Sequence, residues 1–438
     1  MEEIFIKNIH INKVRHLENI DIPISETERK HLILTGKNGS GKTSVLLEIK
    51  KLLELTENDL FLRFKDHKLA ILSTYALIYE VEQSIKQLEV QKLTTSGNDL
   101  VNLNHYIKHQ FSEINTHKYN INSFKTSNED WLKLKSIFID IDYNSYEISE
   151  LYKEGNFILT YFGARRNLQI NVPKGISKIE IKDKYNINEN AGKEFLQHLV
   201  NLKADRLFAR EENDELSVSQ IDLWFESFEK SLQEVFDEPN LKLEFDRKKY
   251  NFNIVDEGKE VSDLTVLSDG YSAIFNFISE LIMRMENKAS KSYDIQGIVL
   301  IDEIETHLHI DLQKKILPFL TNFFPKIQFI VTTHSPFVLN SVNNAVIFDL
   351  EKKLLVEDLS GYSVNSIIES YFDSDDYSTI VKEKVIEYER LLTADILNEE
   401  EEEKLFDLKR YFKDLPKMFS PELALKINQL QLANLAVK

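Results

Sequence analysis

No cysteine occurs anywhere in the 438 residues. That excludes structural disulfides, thiol catalysis and every cysteine-based zinc site. Long apolar runs are missing as well: no stretch approaches the roughly 20 residues that a bilayer-spanning helix needs, so no membrane role is expected. Positive charge is scarce. Lys and Arg total 54 against 72 Asp and Glu, a formal net charge of −18, whereas a protein that coats nucleic acid carries a basic surface. Any contact with DNA is then local, or belongs to a partner. Met1–Lys7 alternates like a strand and carries acid, unlike a secretion signal, and a cytoplasmic location is the expectation. A hydrophobic share of 42% over this length is ample for about two or three compact units.

What is present begins with Gly36-Lys37-Asn38-Gly39-Ser40-Gly41-Lys42-Thr43, which fits G-x-x-x-x-G-K-[ST]. A triphosphate needs many donors and little steric bulk. Gly36, Gly39 and Gly41 let backbone amides curl around phosphate where a side chain would clash. Lys42 brings a point charge to the β/γ oxygens, and the Thr43 hydroxyl suits Mg²⁺. Asn38, Ser40 and Ser44 complete the expected phosphate-contacting set. His31–Thr35 reads as a buried strand and Ser44 onward as a helix, the strand–loop–helix setting in which a helix N-terminus faces the anion. ATP with Mg²⁺ is the expected ligand.

The rest of the chain reads as one α/β nucleotide domain with insertions. From about Asp66 to Ile121 the pattern turns helical. Ile78, Val81, Ile85 and Leu88 follow a 3-4-3 spacing, as do Leu100, Leu103 and Ile107, with Ile114 beyond. Thr94–Asn98 is a turn signal between them, so an antiparallel hairpin with its tip near Gly97 is expected. Strand-like stretches follow at Ser136–Asp140 and Phe157–Phe162. A helical stretch from Asn190 to Asp237 precedes two strands near Leu241–Phe245 and Tyr250–Val255.

Three downstream segments carry chemistry. Gly297–Ile301 is an apolar strand without alternation, as in the middle of a parallel sheet, and it ends in Asp302-Glu303. The carboxyl end of such a strand is where α/β folds place ligands. Asp302 is positioned to hold Mg²⁺ opposite Thr43, and Glu303 to act as general base toward the attacking water. The strand Ile327–Thr333 runs into His334-Ser335-Pro336; His334 either donates to the γ-phosphate or caps the next helix. Upstream, Leu267-Ser268-Asp269-Gly270-Tyr271 opens a helix and forms a second anion-binding N-terminus at Ser268 and Gly270. One chain has no use for two such sites on one triphosphate, but two copies do.

In this order the four elements resemble an ABC-type ATPase of the SMC/RecF/OLD-like branch, with Leu267–Tyr271 as signature motif, Ile301–Glu303 as Walker B end and His334 as switch histidine. Glu303–His309 resembles the E-x-H-L-H segment of the OLD-like subgroup. The resemblance implies a split ATPase domain at 1–56 and 135–350, with a helical subdomain at 190–237. It also implies an inserted hairpin at 57–134 and a C-terminal helical partner or oligomerisation region at 351–438. Catalytic roles fall to Glu303 and His334, and composite ATP sites form in a homodimer or a higher even homo-oligomer. Asp269 and Tyr271 depart from the transporter form of the signature. No Q-loop glutamine can be assigned, and neither can an adenine-stacking aromatic. Arg15 and His16 are open to a nucleotide contact or an exposed turn; Arg165 and Arg166 to a phosphate- or DNA-facing role or a solvated strand end.

The hairpin is far too short for an SMC arm. A Toprim nuclease domain needs a D-x-D on a strand, whereas Asp373-Ser374-Asp375 follows a helical pattern, so no intrinsic nuclease is expected. The resemblance is then greatest to the PtuA-type ATPases of Septu and retron anti-phage systems. It implies a slow regulatory ATPase that assembles and restrains a separately encoded nuclease of HNH type, reaching DNA through that complex. Two readings stay open beside it: a RecF-like repair or recombination ATPase that grips DNA itself, and a free-standing metabolic ATPase or kinase.

Overall fold

The computed structural model describes residues 3–54, 60–126, 137–141, 145–166, 169–256, 262–264, 267–288, 293–356, 359–364, 366–367, 379–394 and 397–414. The chain divides into two units, Met1–Gly361 and Tyr362–Lys438.

In the first unit, β1 (Ile6–Val14) and β2 (Leu17–Pro23) form an antiparallel hairpin closed by Arg15 and His16, with Val14 opposite Leu17. Arg15 takes a left-handed φ of 55° in that turn. After β3 (His31–Thr35) comes α1 (Lys42–Glu54), whose Val45, Leu46, Ile49, Leu52 and Leu53 form the buried stripe of an amphipathic helix. The hairpin follows as α2 (Leu60–Lys92) and α3 (Asn98–Thr126), with Gly97 at φ 69° in the connection. Ile78, Ile85, Ile107, Ile114 and Ile121 are buried between the two helices, with Val81, Leu88 and Leu103 packed beside them. The seven-residue interval is that of a coiled-coil seam.

β4 (Ile137–Ile141) pairs on the free edge of β1 to complete a three-stranded sheet, and α4 (Ser145–Lys153) leads into β5 (Phe157–Phe162). Two helices, α5 (Phe195–Glu211) and α6 (Glu215–Phe236), precede a second small sheet of β6 (Lys242–Asp246), β7 (Asn251–Val255) and β8 (Ser262–Asp263). The main sheet is then completed across α7 (Asp269–Met285), β9 (Gln296–Ile301), α8 (Ile310–Phe323), β10 (Ile327–Thr332), α9 (Pro336–Leu339), β11 (Ala345–Asp349) and β12 (Leu354–Val356). Its order is β12-β11-β3-β10-β9-β5, parallel throughout except for β12. β9 lies between β10 and β5 with all six residues buried, which explains the apolar run from Ile298 to Ile301. Gly297 lets β5 come close: a Cβ there would stand 2.3 Å from the Ile158 carbonyl oxygen.

Two glutamines interrupt the apolar strands for a reason. Gln328 in β10 accepts from the Ile6 amide at 2.7 Å and donates to the Ile6 and Lys30 carbonyls, while Gln296 accepts from the Ile4 amide at 3.0 Å. They tie the N-terminal strand of the antiparallel sheet to the main one.

The sequence-level boundary at 350 falls too early. β12 pairs with β11, Ile347 opposite Val356, so the sheet continues to residue 356. The second unit has its own small core, in which Val385, Tyr388 and Leu391 of α10 (Thr379–Thr393) meet Leu408 and Phe412 of α11 (Glu399–Asp414). The acidic run Glu399–Glu403 lies in the first turns of α11, where negative charge complements the helix dipole. Asp373–Asp375 lies outside the described residues. Among the described residues no helix is long and apolar enough to cross a membrane.

One core residue makes the fold acid-sensitive. His31 is 5% exposed, its Nδ1 accepts from the Phe329 amide at 3.1 Å, and burial together with nearby Arg29 pulls its pKa down to about 4. The unfolded chain takes up this proton near pH 6.5, the folded chain only near 4. The neutral ring therefore stabilises the fold above about pH 6.5, and that contribution is lost as the pH falls toward 4. At about 1.4 kcal/mol per pKa unit, the loss is on the order of 3 kcal/mol. Urea unfolding of wild type and His31→Gln at pH 7 and pH 4.5 should show a steeper decline for wild type; parallel declines would remove His31 as the cause.

A candidate nucleotide site at the strand carboxyl ends

The parallel strands bring their carboxyl ends to one side of the sheet, and β3, β5, β9 and β10 each lead there into a segment that the sequence had singled out. β3 leads into the glycine loop. Gly36, Gly39 and Gly41 have φ of 130°, 87° and 102°, a region that side chains avoid. The loop is also tight: a Cβ on Gly36 would come within 2.9 Å of Ser40 Oγ, and one on Gly41 within 2.9 Å of Leu17 Cδ1. Asn38 and Gly39 are exposed at the loop's crest, Ser40 is buried beneath it, and Ser44 lies in the first turn of α1.

The Lys42 side chain folds under the loop, where Nζ donates to the Gly36 carbonyl at 2.8 Å and the Lys37 carbonyl at 3.2 Å. It is 5% exposed. Burial lowers its pKa, against the opposing pull of Glu305, Glu303, Asp302 and Asp349. His334 Nδ1 stands 3.5 Å from Lys42 Nζ. Burial and the Lys42 charge lower the His334 pKa, which favours the neutral ring. His334 does not cap the helix after it; the Ser335 side chain does, accepting from the Phe337 amide.

At the end of β9, Asp302 is 2% exposed, and its Oδ1 accepts from Thr43 Oγ1 at 3.0 Å and Thr332 Oγ1 at 2.7 Å. The phosphate loop and the acid pair are thus hydrogen-bonded across 259 residues of sequence. Glu303 turns the chain with a left-handed φ of 47°, a conformation that costs a non-glycine residue about 1–2 kcal/mol. Its amide donates to Thr332 Oγ1 at 2.8 Å, and its Oε2 accepts from Thr306 Oγ1 at 3.2 Å.

Three residues of this site make contacts that the sequence did not specify. Thr332 bridges Asp302 and the Glu303 amide; its only signal was a hydroxyl at the end of an apolar strand. Glu305 accepts from the His334 amide at 2.6 Å, while its Oε2 is buried without a partner. Arg166, open to several readings above, is 7% exposed and directed inward. Its NH2 donates to the Asp302 and Glu303 carbonyls and its NH1 to Ile304 O at 3.2 Å. Neither a solvated strand end nor a DNA-facing surface describes it, whereas its neighbour Arg165 is exposed. Tyr161, on β5 nearby, has its phenol pushed up to about 12 by burial and the Asp302 charge.

Ser268 and Gly270 are not brought to the loop. Among the described residues no hydrogen bond joins them to residues 36–44. Ser268 is an exposed N-cap of α7 whose side chain makes no capping bond. Gly270 packs toward α8, where a Cβ would meet Leu312 Cδ1 at 3.1 Å. Tyr271 is accounted for by packing: its ring stacks on Phe236 at 3.8 Å, and burial and Glu238 raise its pKa. His16, in the β1–β2 turn, comes within 3.8 Å of the Cβ position on Gly41, so that turn borders the loop.

Nucleotide and Mg²⁺ fit these residues. The left-handed glycines form a cradle without side chains, the first turn of α1 presents amides that lack intrahelical partners, and Ser40 Oγ is buried without a partner. Thr43 and Asp302 offer two adjacent hard oxygens, the protein share usual for Mg²⁺ beside phosphates and water. Among the described residues no group of three or more His, Asp or Glu forms a metal site of its own.

The family model described as "AAA domain, putative AbiEii toxin, Type IV TA system" matches residues 110–340, just over half of the chain. A Septu protein PtuA of Bacillus mycoides is 35% identical over 156 residues, covering 34% of this chain and 22% of that protein. A Septu protein PtuA of Bacillus thuringiensis is 31% identical over 185 residues, covering 38% and 45%. The Retron Vc95 probable ATPase of Vibrio cholerae is 24% identical over 403 residues, covering 78% and 75%. The chain spans less than half the length of the two PtuA relatives. From the family match it follows that this chain belongs to the AAA-domain family of that model, with local similarity to the PtuA proteins.

Proposed function

We propose that this protein is the ATP-binding and ATP-hydrolysing subunit of a bacterial anti-phage defence complex, which assembles and restrains a separately encoded nuclease through ATP-dependent dimerisation. The observation that carries the ATPase part is the convergence of Lys42, Thr43, Asp302, Glu303 and His334 at one end of the sheet, with Thr43 Oγ1 and Asp302 Oδ1 3.0 Å apart. The glycine loop and Lys42 hold the triphosphate. Glu303 accepts the proton of the attacking water as general base, and His334 donates to the γ-phosphate. Thr43 and Asp302 would hold Mg²⁺, which would supply charge neutralisation on the phosphate oxygens.

The dimer is supported by the other anion site. Ser268 and Gly270 open α7 at an exposed helix N-terminus, away from the loop of the same chain. Closing it over the nucleotide of a second copy gives each ATP a full shell and makes hydrolysis a property of the pair. The defence role rests on the PtuA and retron relatives and on the second unit, a small helical body suited to a partner. A nuclease of HNH type is the partner this reading names.

The test is native mass measurement of the protein purified from its own host, with and without ATP. The expected result is an even number of copies with ATP, together with a second polypeptide that carries nuclease activity. A chain that stays monomeric with ATP, or that binds and cuts DNA without any partner, overturns the reading.

A further inference from the structure

Arg166 takes part in no step above, yet it sits at the centre of the acid-bearing turn. It follows β5, whose Phe162 lies beside Ile301 of β9 in the sheet register, so the sheet itself delivers the guanidinium to the point where β9 ends. There the carbonyls of Asp302, Glu303 and Ile304 converge on its two terminal nitrogens. Three successive carbonyls do not converge on one point in an extended strand; they do so here because Glu303 adopts φ 47° and reverses the chain. The Glu303 residue is consequently held from both sides, its amide by Thr332 Oγ1 and its carbonyl by Arg166. The Phe277 ring forms the floor, 4.8 Å from the guanidinium carbon.

Charge supports the same placement. Asp302, Glu303 and Glu305 all act on the Arg166 cation. Burial brings its pKa down only to about 10, so it stays protonated at neutral pH. A buried cation among three carboxylates offsets a repulsion that would otherwise open the turn.

We propose that Arg166 is a positioning residue: by clamping the carbonyls of Asp302, Glu303 and Ile304 it fixes the direction of the Glu303 carboxylate for the attack on ATP. The proposal rests on the ATPase reading above and adds a residue to it. The fork geometry is the reason for arginine: a lysine keeps the charge, but its single nitrogen cannot span the carbonyls of three residues.

Arg166→Lys and Arg166→Gln test the two halves of the clamp, the first retaining charge and the second retaining an amide donor. Three quantities are measured: ATP affinity with a fluorescent analogue, kcat under single-turnover conditions, and amide hydrogen exchange of the nucleotide-free protein. For both variants the expected result is an affinity within about threefold of wild type and a kcat at least tenfold lower. Exchange should be at least tenfold faster over residues 302–306, with no change over residues 42–54. Wild-type exchange over 302–306 in a folded variant overturns the clamp. Faster exchange with wild-type kcat overturns its role in positioning Glu303. Absence of turnover in wild type itself counts against the ATPase reading, and the exchange comparison then decides on the clamp alone. If one variant does not fold, the other carries the comparison.

Discussion

Lys42→Ala is expected to weaken ATP binding by at least about 30-fold, and by several thousandfold at the upper end. Lys42 is the cation inside the loop, 5% exposed, with its Nζ in hydrogen bonds to the Gly36 and Lys37 carbonyls. Removing one member of a buried, hydrogen-bonded charge pair costs about 2–5 kcal/mol, and each 1.4 kcal/mol is roughly a factor of ten in affinity. The unliganded fold should hardly notice. Burial lowers the Lys42 pKa, so the folded state holds this proton less readily than the unfolded chain does. At neutral pH the charge therefore costs stability rather than adding to it. A Tm no more than about 2 °C below wild type is expected. Calorimetric titration with ATP, run beside thermal unfolding, separates the two effects. An unchanged affinity would remove Lys42 from the phosphate site.

The parts of this molecule that were readable in advance are those in which a backbone demand selects a residue type. Three left-handed positions within six residues leave little but glycine, so the loop at Gly36–Gly41 could be read from its letters. The same holds for β9, where burial on both faces removes the usual alternation, and for α2 and α3, where a seam repeats every seven residues. The unread parts share a different physics. Arg166 reaches backbone carbonyls 136 to 138 residues further on, and a carbonyl has no letter in a sequence. Thr332 looks like any strand threonine until Asp302 and the Glu303 amide are placed on either side of it. Gln296 and Gln328 stand in otherwise apolar strands, and nothing in their letters tells that they link to a second sheet. At 354–356 the short strand β12 carried too little pattern to be assigned to the sheet it extends.

Glu303→Gln is the variant for which binding and chemistry should part most widely. The amide nearly matches the carboxylate in shape, and the Glu303 backbone contacts to Thr332 and Arg166 do not involve the side chain. Only the proton acceptor is lost. A positioned general base contributes about 10²–10⁴ in rate, so kcat should fall by at least about 100-fold while ATP affinity stays within a few-fold of wild type. The oligomer should respond in the opposite direction. If ATP closes the Ser268–Gly270 end of one copy over the loop of another, and hydrolysis reopens the pair, then blocking hydrolysis prolongs closure. Glu303→Gln with ATP is therefore expected as a lasting dimer in native mass or light-scattering measurements, under conditions where wild type returns to its resting state as ATP is consumed. Lys42→Ala should not dimerise under either condition. A wild-type rate for Glu303→Gln would shift the base role elsewhere, with Glu305 the next candidate: it accepts from the His334 amide and keeps one buried oxygen without a partner. A slow variant that stays monomeric would instead separate hydrolysis from assembly, leaving Glu303 as a base in a site that needs no second copy.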